Sequence, residues 1–307
     1  MIRIGLVGVG KIAHDQHIPA LAGDPRFQLV AAASRSKPDL GGIPVFHDID
    51  EMLANGPALD AVALCTPPQA RRETALAALR AGKHVFLEKP PGATVSEVAE
   101  LAAAARQHGV TLFTSWHSRF AAGVPGAKAW LAARKVHKLA IEWREDVRRW
   151  HPGQTWIWQA GGMGVFDPAI NALSILTEIM PAEVFVTDAK LQVPENVQSP
   201  IAGHVDLTTL DGAEISADLD FLQTGPQTWD ITAWTDDGVL TLSLGGAELT
   251  IDGQAVEVGE NREYPGLYDR FATLVARGVS EVDVRPLTLV ADAFMVGTRE
   301  VVEAFVE

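Results

Sequence analysis

The first ten residues restrict the fold of this chain more than any other segment does. They read MIRIGLVGVG, a short run of apolar and β-branched residues that ends in two closely spaced glycines. Similar apolar runs recur through residues 1–116, separated by loops and helix-like segments. Buried strands that alternate with helices predict a parallel sheet with helices on both faces. We therefore predict an α/β fold in which residues 1–118 form a doubly wound parallel sheet.

The turn after the first strand, GVGKIA, matches the pattern G-x-G-x-x-A. Gly8 allows a tight turn, Gly10 lets a pyrophosphate approach the backbone, and the small Ala13 lets helix and strand pack closely. The following helix begins near Lys11 and Ile12, where its free N–H groups attract phosphates. A glycine turn with no ligand is the alternative. Because the motif heads a series of strand–helix units, it favours a dinucleotide-binding Rossmann domain.

The end of the second strand bears on the choice of cofactor. A site for NAD usually has a carboxylate there that holds the ribose hydroxyls, whereas this chain has Ser34 and Arg35. A hydroxyl and a guanidinium bind the 2′-phosphate that a carboxylate would repel. The pattern predicts NADP as the preferred cofactor and leaves NAD open as a second one. The alternative is that Arg35 is a solvated loop residue that stacks on adenine.

Two proline-containing turns follow the fourth and fifth strands. Thr66 and Pro67 follow one strand, and Glu88, Lys89 and Pro90 follow the next. Ligands of such sheets bind at the carboxyl ends of the strands, so both turns are expected to border the nicotinamide, with Lys89 at the reaction centre. From spacing alone, a surface Lys–Glu pair in a proline turn is an equal alternative.

From residue 136 onward, the pattern changes to strands with Asp-Gly turns between them. Alternating apolar residues indicate an open, mainly antiparallel sheet with one face covered. Helices near residues 168–180, 265–278 and 286–306 are expected to cover that face. We therefore predict that residues 119–307 form a second, α+β domain that binds the substrate.

The segment GVFDPAINALSIL predicts the start of a helix in the second domain. Asp167 is expected to be the N-cap, with Pro168 at the first helical position. Asn171 lies four residues further on, so its side chain shares a helix face with that of Asp167. A carboxylate and an amide at an open helix end can also hold a polyol, so capping and function are compatible.

Three of the eight tryptophans fall within the segment RRWHPGQTWIWQ. Indole rings pack against the C–H faces of sugars, while sugar hydroxyls bind to carboxylates and amides. We predict that Trp150 is such a sugar-binding ring. Trp156 and Trp158 alternate along the chain, which favours the protein core for them. His151 is expected to do no more than satisfy a loop carbonyl.

Taken together, these motifs resemble the Gfo/Idh/MocA family of oxidoreductases, over essentially the whole chain. The matching segments are GVGKIA, TPP, EKP and the Asp167–Asn171 pair. Longer runs such as HVFLEKPPGAT and EDVRRWHPGQTWIW resemble the branch of sugar 1-dehydrogenases that act on D-galactose and L-arabinose. The chain departs from much of the wider family at Asn171 and Arg71, where histidine is common. Because an amide cannot exchange a proton, the acid–base role moves to Lys89 or Asp167.

The resemblance implies a site and a reaction. Lys89, Asp167 and Asn171 would act on the reacting hydroxyl, and the sugar pocket would be lined by His117, Glu145, Trp150 and Trp229. The expected reaction is oxidation of a pyranose at its anomeric carbon to a lactone, with Lys89 and Asp167 jointly as the base. D-galactose, L-arabinose and D-fucose all remain open as substrates. The alternatives are a dehydrogenase of the same fold that acts on an inositol or another substrate, and a sensor that has lost catalysis.

The composition excludes some partners. A formal net charge of −14 argues against nucleic acid or an anionic membrane as the main partner. The single cysteine, Cys65, and the lack of an apolar run long enough to span a bilayer favour a cytoplasmic protein. We expect no metal site. The resemblance also allows a homo-oligomer formed through the open sheet.

Overall fold

The computed structural model describes all of residues 1–307, and these form two compact units. The first unit comprises residues 1–116 and 264–284, and the second comprises residues 117–263 and 285–307. The first segment of unit one ends at Trp116, and the sequence predicted a boundary between residues 118 and 119. The return of residues 264–284 to the first unit was not expected from the sequence.

The first unit contains a six-stranded sheet with the strand order β3-β2-β1-β4-β5-β6. All of its strand pairs are parallel, as the alternation of strands and helices predicted. The four residues of its inner strand β4 are completely buried, because helices cover both faces. The strands are β1 (Ile2–Val7), β2 (Phe27–Ala33), β3 (Val45–Phe46), β4 (Ala61–Leu64), β5 (His84–Leu87) and β6 (Leu112–Thr114).

The helices of the first unit have clear start signals in the sequence. The side chains of Asp48 and Thr94 accept hydrogen bonds from the backbone N–H groups of Glu51 and Glu97 at 2.9 and 3.2 Å, so each caps a helix. A π-helical turn, Ala13–His17, follows the glycine-rich turn. The helices are α1 (Ile18–Ala22), α2 (Ile49–Asn55), α3 (Arg71–Arg80), α4 (Val95–His108) and, after the second sheet in the chain, α8 (Glu263–Arg277).

Helix α8 corrects the expectation that a helix at residues 265–278 covers the second sheet. Its aromatic side chains pack in the first unit instead. The rings of Tyr268 and Phe86 stack at 5.1 Å between centroids, and those of Phe271 and Phe27 stack at 6.4 Å. An apolar periodicity shows that a helix has a face to bury, but it does not show which sheet will cover that face.

The second unit contains a nine-stranded sheet with the strand order β14-β13-β12-β11-β7-β10-β9-β8-β15. Most pairs are antiparallel, as predicted, but β10 with β7 and β15 with β8 are parallel. The strands are β7 (Val136–Arg144), β8 (Val184–Pro194), β9 (Ala202–Thr209), β10 (Glu214–Asp220), β11 (Thr228–Thr235), β12 (Gly238–Ser243), β13 (Glu248–Ile251), β14 (Gln254–Ala255) and β15 (Thr298–Val302).

The last helix of the chain is shorter than the predicted range of residues 286–306. It ends at Val296, and a strand that pairs with β8 follows. At Gly297, an added Cβ would lie 2.5 Å from the carbonyl oxygen of Ala293, so the helix closes on a glycine. The β-branched residues beyond it then form an edge strand.

The helices of this unit are α5 (Val124–Leu131), α6 (Val147–Trp150), α7 (Phe166–Ile179) and α9 (Arg285–Val296). No helix in the structure has the length and apolarity needed to cross a membrane.

Candidate active site

In the first unit, the glycine-rich turn has the geometry that its sequence predicts. Gly8 has a φ of +88°, and an added Cβ would lie 2.8 Å from the backbone nitrogen of Thr66, so no other residue fits without strain. At Gly10, by contrast, an added Cβ would meet nothing within 4 Å. Packing within the protein therefore does not require glycine at position 10. The absence of a side chain there leaves space for a ligand beside the backbone. Ala13 is fully buried against the sheet.

The predicted adenosine end lies where strand β2 finishes. Ser34 is half-buried, with its hydroxyl 3.0 Å from that of Ser36, and Arg35 is exposed. The exposed Lys11 precedes the π-helical turn and forms an ion pair with Asp15, which lies within it. A hydroxyl and a guanidinium thus lie at the end of β2, and groups of both kinds can bind a phosphate.

Arg71 is a buried residue that holds both proline-containing turns. Only 2% of it is exposed, and its guanidinium donates to the carbonyl oxygens of Thr66, Glu88 and Pro90. The sequence marked Arg71 only as a departure from the family. Its position directly after the first of these turns was the one available signal of this role. Because Arg71 binds the carbonyls on either side of Lys89, it fixes the backbone that presents this lysine.

The carboxylate of Glu88 faces the interior of the first unit. It is 3% exposed and accepts a hydrogen bond from the Tyr264 hydroxyl at 2.6 Å and another from the backbone N–H of Lys89. The Nε2 atom of His17 lies 3.3 Å from the same carboxylate. This arrangement does not fit the alternative of a surface Lys–Glu pair. Direct contact between Glu88 and a cofactor stays a prediction, while its observed contacts brace the turn.

His17 lies at the centre of this buried network. Its Nδ1 is 2.7 Å from the hydroxyl of Tyr268. Burial disfavours the charged imidazolium, yet Cys65, Tyr268 and Glu88 around it raise the pKa of His17 well above its ordinary value. Burial also raises the pKa of Tyr268 to about 12, so this phenol stays neutral. A protonated His17 then donates from both ring nitrogens, one to the phenol and one to the carboxylate.

In the second unit, Glu145 follows strand β7 and is 5% exposed. Both of its carboxylate oxygens have partners. The indole nitrogen of Trp229 donates to Oε2 at 2.9 Å, and the Nε2 of His151 lies 3.1 Å from Oε1. An indole donates only, so the orientation of the Trp229 bond is fixed. Glu145 therefore joins strand β11 to the loop after helix α6.

Trp150 and Trp229 form an aromatic pair in the second unit. Their rings meet edge to face, with centroids 5.3 Å apart. The indole nitrogen of Trp150 donates to the side-chain oxygen of Gln227 at 3.2 Å, and the residue keeps 37% of its surface exposed. Trp150 therefore presents an oriented aromatic surface to solvent, as a ring that binds a sugar would.

The other two tryptophans of this segment differ from expectation. Residues Thr155–Trp158 form a 3-10 turn, not a strand, so Trp156 and Trp158 do not share a face by alternation. Both are half-buried, and the fully buried residue between them is Ile157. Trp158 contacts Phe221 at 5.8 Å between ring centroids.

Asp167 is not the N-cap of its helix, which corrects the sequence prediction. Helix α7 begins at Phe166, with Val165 as its N-cap. Val165 is tied to the carbonyl oxygen of Pro200 by a hydrogen bond of 2.8 Å, and this contact from a distant loop sets the start of the helix earlier. Asp167 still lies in the first turn, where the helix dipole favours a carboxylate, and Asn171 lies one turn further along.

His151 was expected to satisfy a loop carbonyl, and this expectation was wrong. The ring lies between two buried carboxylates: Nε2 is 3.1 Å from Glu145, and Nδ1 is 3.7 Å from Asp167. His117, another predicted sugar contact, is half-buried, with its Nδ1 3.3 Å from the carboxylate of Glu263. In the second unit, one cluster thus contains Glu145, His151 and Asp167 together with the tryptophan pair Trp150 and Trp229.

Comparison with known proteins supplies independent evidence. Residues 2–115 match the model of the Gfo/Idh/MocA oxidoreductase family, whose description specifies an NAD-binding Rossmann fold. Over 304 residues, the chain is 46% identical to a galactose 1-dehydrogenase of Pseudomonas fluorescens, and the match covers 99% of this chain and 98% of the relative.

Solved structures agree with that similarity. A D-galactose 1-dehydrogenase from Rhizobium etli is 54% identical and superposes with a TM-score of 0.94, covering 99% of this chain and 97% of that one. The 3-ketoreductase KijD10 from Actinomadura kijaniata, solved with NADP, has a TM-score of 0.84 at 20% identity and covers 99% of both chains. This last similarity concerns the fold alone.

Proposed function

Because the chain belongs to the Gfo/Idh/MocA family of oxidoreductases, we propose that it oxidises D-galactose at the anomeric carbon to the aldonolactone. L-arabinose and D-fucose are proposed as further substrates. The three sugars share the configuration of their ring carbons 2 to 4, and a missing group on carbon 5 changes binding by only about 1–3 kcal/mol. The cluster of carboxylates and indoles around Glu145 supports a sugar as the substrate, since sugars need both kinds of partner.

The cofactor proposed is NADP, with NAD as a weaker substitute. The bare position at Gly10 and the helix start that follows it fit a pyrophosphate. Ser34 and Arg35 would hold the 2′-phosphate. When bound, the cofactor supplies a hydride acceptor for the anomeric carbon, and the residues of this chain do the rest.

Those residues divide into binding and proton-handling roles. We propose that Lys89 and Asp167 act jointly on the anomeric hydroxyl and that one of them removes its proton. The amide of Asn171 would hold this hydroxyl in line. Glu145 and His117 would accept or donate hydrogen bonds to the other ring hydroxyls, while Trp150 and Trp229 pack on the C–H face of the ring.

The decisive experiment measures NADP reduction by the purified protein against aldoses, inositols and hydroxy acids. We expect D-galactose, L-arabinose and D-fucose to give the highest kcat/KM, with the lactone detected as the product. A faster reaction with an inositol or a hydroxy acid would replace the proposed substrate class. No turnover with any compound, together with measurable sugar binding, would favour a sensor instead.

The choice of cofactor has its own test. In Arg35→Ala, the guanidinium that faces the 2′-phosphate is lost, so the KM for NADP is expected to rise roughly tenfold while that for NAD changes little. The control Arg106→Ala removes an exposed arginine on helix α4 and is expected to leave both constants unchanged. An equal effect of Arg35→Ala on both cofactors would show that this side chain does not read the phosphate.

A further inference from the structure

We propose that His151 positions Asp167 and receives from it the proton that leaves the sugar hydroxyl. This inference rests on the proposed function and adds a proton path to it. Oxidation of a hydroxyl releases a proton as well as a hydride. Asp167 is 3% exposed, so a proton held there needs a route to solvent. The neighbouring Asn171 offers an amide, which neither takes up nor releases a proton at neutral pH.

The position of His151 suits such a transfer. Its side chain is 14% exposed, compared with 4% for the side chain of Asp167 and 6% for that of Glu145. The imidazole is therefore more accessible to solvent than either carboxylate. The separation of 3.7 Å between Nδ1 and Asp167 exceeds a hydrogen bond. Such distances in a free enzyme often shorten when the substrate binds.

The hydrogen-bond partners decide the protonation of the ring. Ionised Glu145 only accepts, so a neutral His151 places its proton on Nε2 and donates it across 3.1 Å. Nδ1 then carries the lone pair, and the carboxylate of Asp167 lies 3.7 Å from it. The side chain of Gln154 lies 3.4 Å from the same nitrogen and can turn either its oxygen or its amide toward it.

Charged and aromatic groups from several elements surround the ring of His151. Asp167 of helix α7 and Glu145 after strand β7 face its two nitrogens. On its own segment, Arg148 pairs with Asp146, and Arg149 lies over the ring of Trp150. The ring itself packs against Phe221, with centroids 5.4 Å apart. Two carboxylates thus stabilise a positive charge that forms on His151 during turnover.

The proposed steps balance. The O–H bond of the anomeric hydroxyl breaks, and its proton passes to Asp167 while the C–H hydride passes to the oxidised cofactor. The proton then moves from Asp167 to Nδ1 of His151, which becomes an imidazolium and restores the carboxylate. The imidazolium releases the proton to water, so each cycle yields lactone, reduced cofactor and one proton.

The test uses His151→Gln in the full-length protein. A glutamine side chain offers an N–H donor to Glu145 but cannot accept a proton from Asp167. The variant therefore keeps the structural hydrogen bond of residue 151 and loses only the proton transfer. We expect kcat to fall about 100-fold, with the sugar KM within about threefold of the wild type. We also expect added imidazole to restore part of kcat. The variant's kcat should keep rising with pH after that of the wild type has levelled off, because hydroxide then takes the proton directly.

One control and one second variant make the result decisive. His137→Gln changes an exposed histidine on strand β7 and is expected to alter neither kcat nor its pH profile. His151→Asn serves as the second variant if the first does not fold. Wild-type kcat and an unchanged pH profile in a folded variant at position 151 would overturn the relay. Absence of sugar oxidation by the wild-type protein would instead refute the proposed function.

Discussion

The two units differ in the groups that they offer to a ligand. The first unit presents backbone: a glycine turn and two proline-containing turns at the ends of parallel strands, braced from behind by Arg71 and Glu88. The second unit presents side chains that bond to one another, with Glu145 holding both Trp229 and His151. Buried side chains of the first unit hold the backbone of the turns and would influence a ligand only through that backbone. The clustered side chains of the second unit would contact the ligand themselves.

The largest effect is expected at the one side chain of the first unit to which we assign chemistry. Lys89→Met removes a group that, in the proposed function, acts together with Asp167 on the anomeric hydroxyl, so kcat should fall by about 10²–10⁴-fold. Cofactor binding, followed by tryptophan fluorescence, should stay within about threefold of the wild type, because we assign that binding mainly to the backbone of the turns.

The control Lys128→Met removes an exposed lysine that pairs with Glu178, and activity should not change. Unchanged turnover in Lys89→Met would take this lysine out of the chemistry. The first unit would then serve cofactor binding alone, and the contrast between the units would become sharper still.

The second prediction concerns the bracing residue. Arg71→Met leaves three carbonyl oxygens without their charged donor, so the free energy of unfolding should fall by about 3 kcal/mol. The dissociation constant of the cofactor should rise at least about tenfold, because the turns lose their fixed position. Denaturant unfolding and cofactor titration measure the two effects.

Its neighbour provides a matched comparison. Arg72 is on the same helix but forms partly exposed ion pairs with Glu73 and Glu100. Arg72→Met should therefore lower the free energy of unfolding far less than Arg71→Met does. Equal losses of stability in the two variants would contradict the bracing role of Arg71.

A smaller effect is expected in the second unit at the aromatic pair. Trp150→Phe loses the hydrogen bond to Gln227 and part of the ring, so the sugar KM should rise about fivefold to tenfold. Cofactor affinity should not change. The control Trp130→Phe alters a tryptophan that stacks on Arg134 and should affect neither constant. If Trp150→Phe changes the cofactor affinity but not the sugar KM, the assignment of Trp150 to the sugar is wrong.

The smallest effect is a pH dependence of stability in the first unit. The folded protein raises the pKa of His17, so it holds this proton more tightly than the unfolded chain does. The resulting stabilisation is complete below about pH 6.5, the unfolded value, and disappears as the pH rises through the folded value.

Unfolding free energies of the wild type and His17→Asn, measured from pH 5.5 to 9, should therefore differ most at the acidic end. A difference that is constant with pH would mean that folding does not shift the pKa of His17, and a difference that shrinks toward acidic pH would mean that His17 is neutral in the folded protein. The bracing of Glu88 would then depend on its bond from Tyr264.

Much of the first unit could be predicted because its signals are local. Each motif follows its own strand directly, and the ends of parallel strands necessarily meet at one edge of the sheet. Gly8 needed only its neighbours to be recognised, since a tight turn demands a positive φ there. Ser34, Thr66 and Lys89 were predicted as site residues in the same way.

The residues that the sequence missed act across long separations in the chain. Arg71 binds carbonyls up to 19 positions away, and His17 meets Tyr268 across 251 positions. His151 and Asp167 come from different elements, and no periodicity relates them. The start of helix α7 was misplaced for the same reason, because Pro200 of a distant loop fixes it.

The sequence by itself determined the parallel sheet, the dinucleotide-binding turn and the presence of a second, mainly antiparallel sheet, because strand and turn preferences depend on neighbouring residues. Only the tertiary structure decided that helix α8 returns to the first unit and that His151 lies between two carboxylates. Packing and ion pairing depend on distance in space, and a single sequence does not record which distant segments meet.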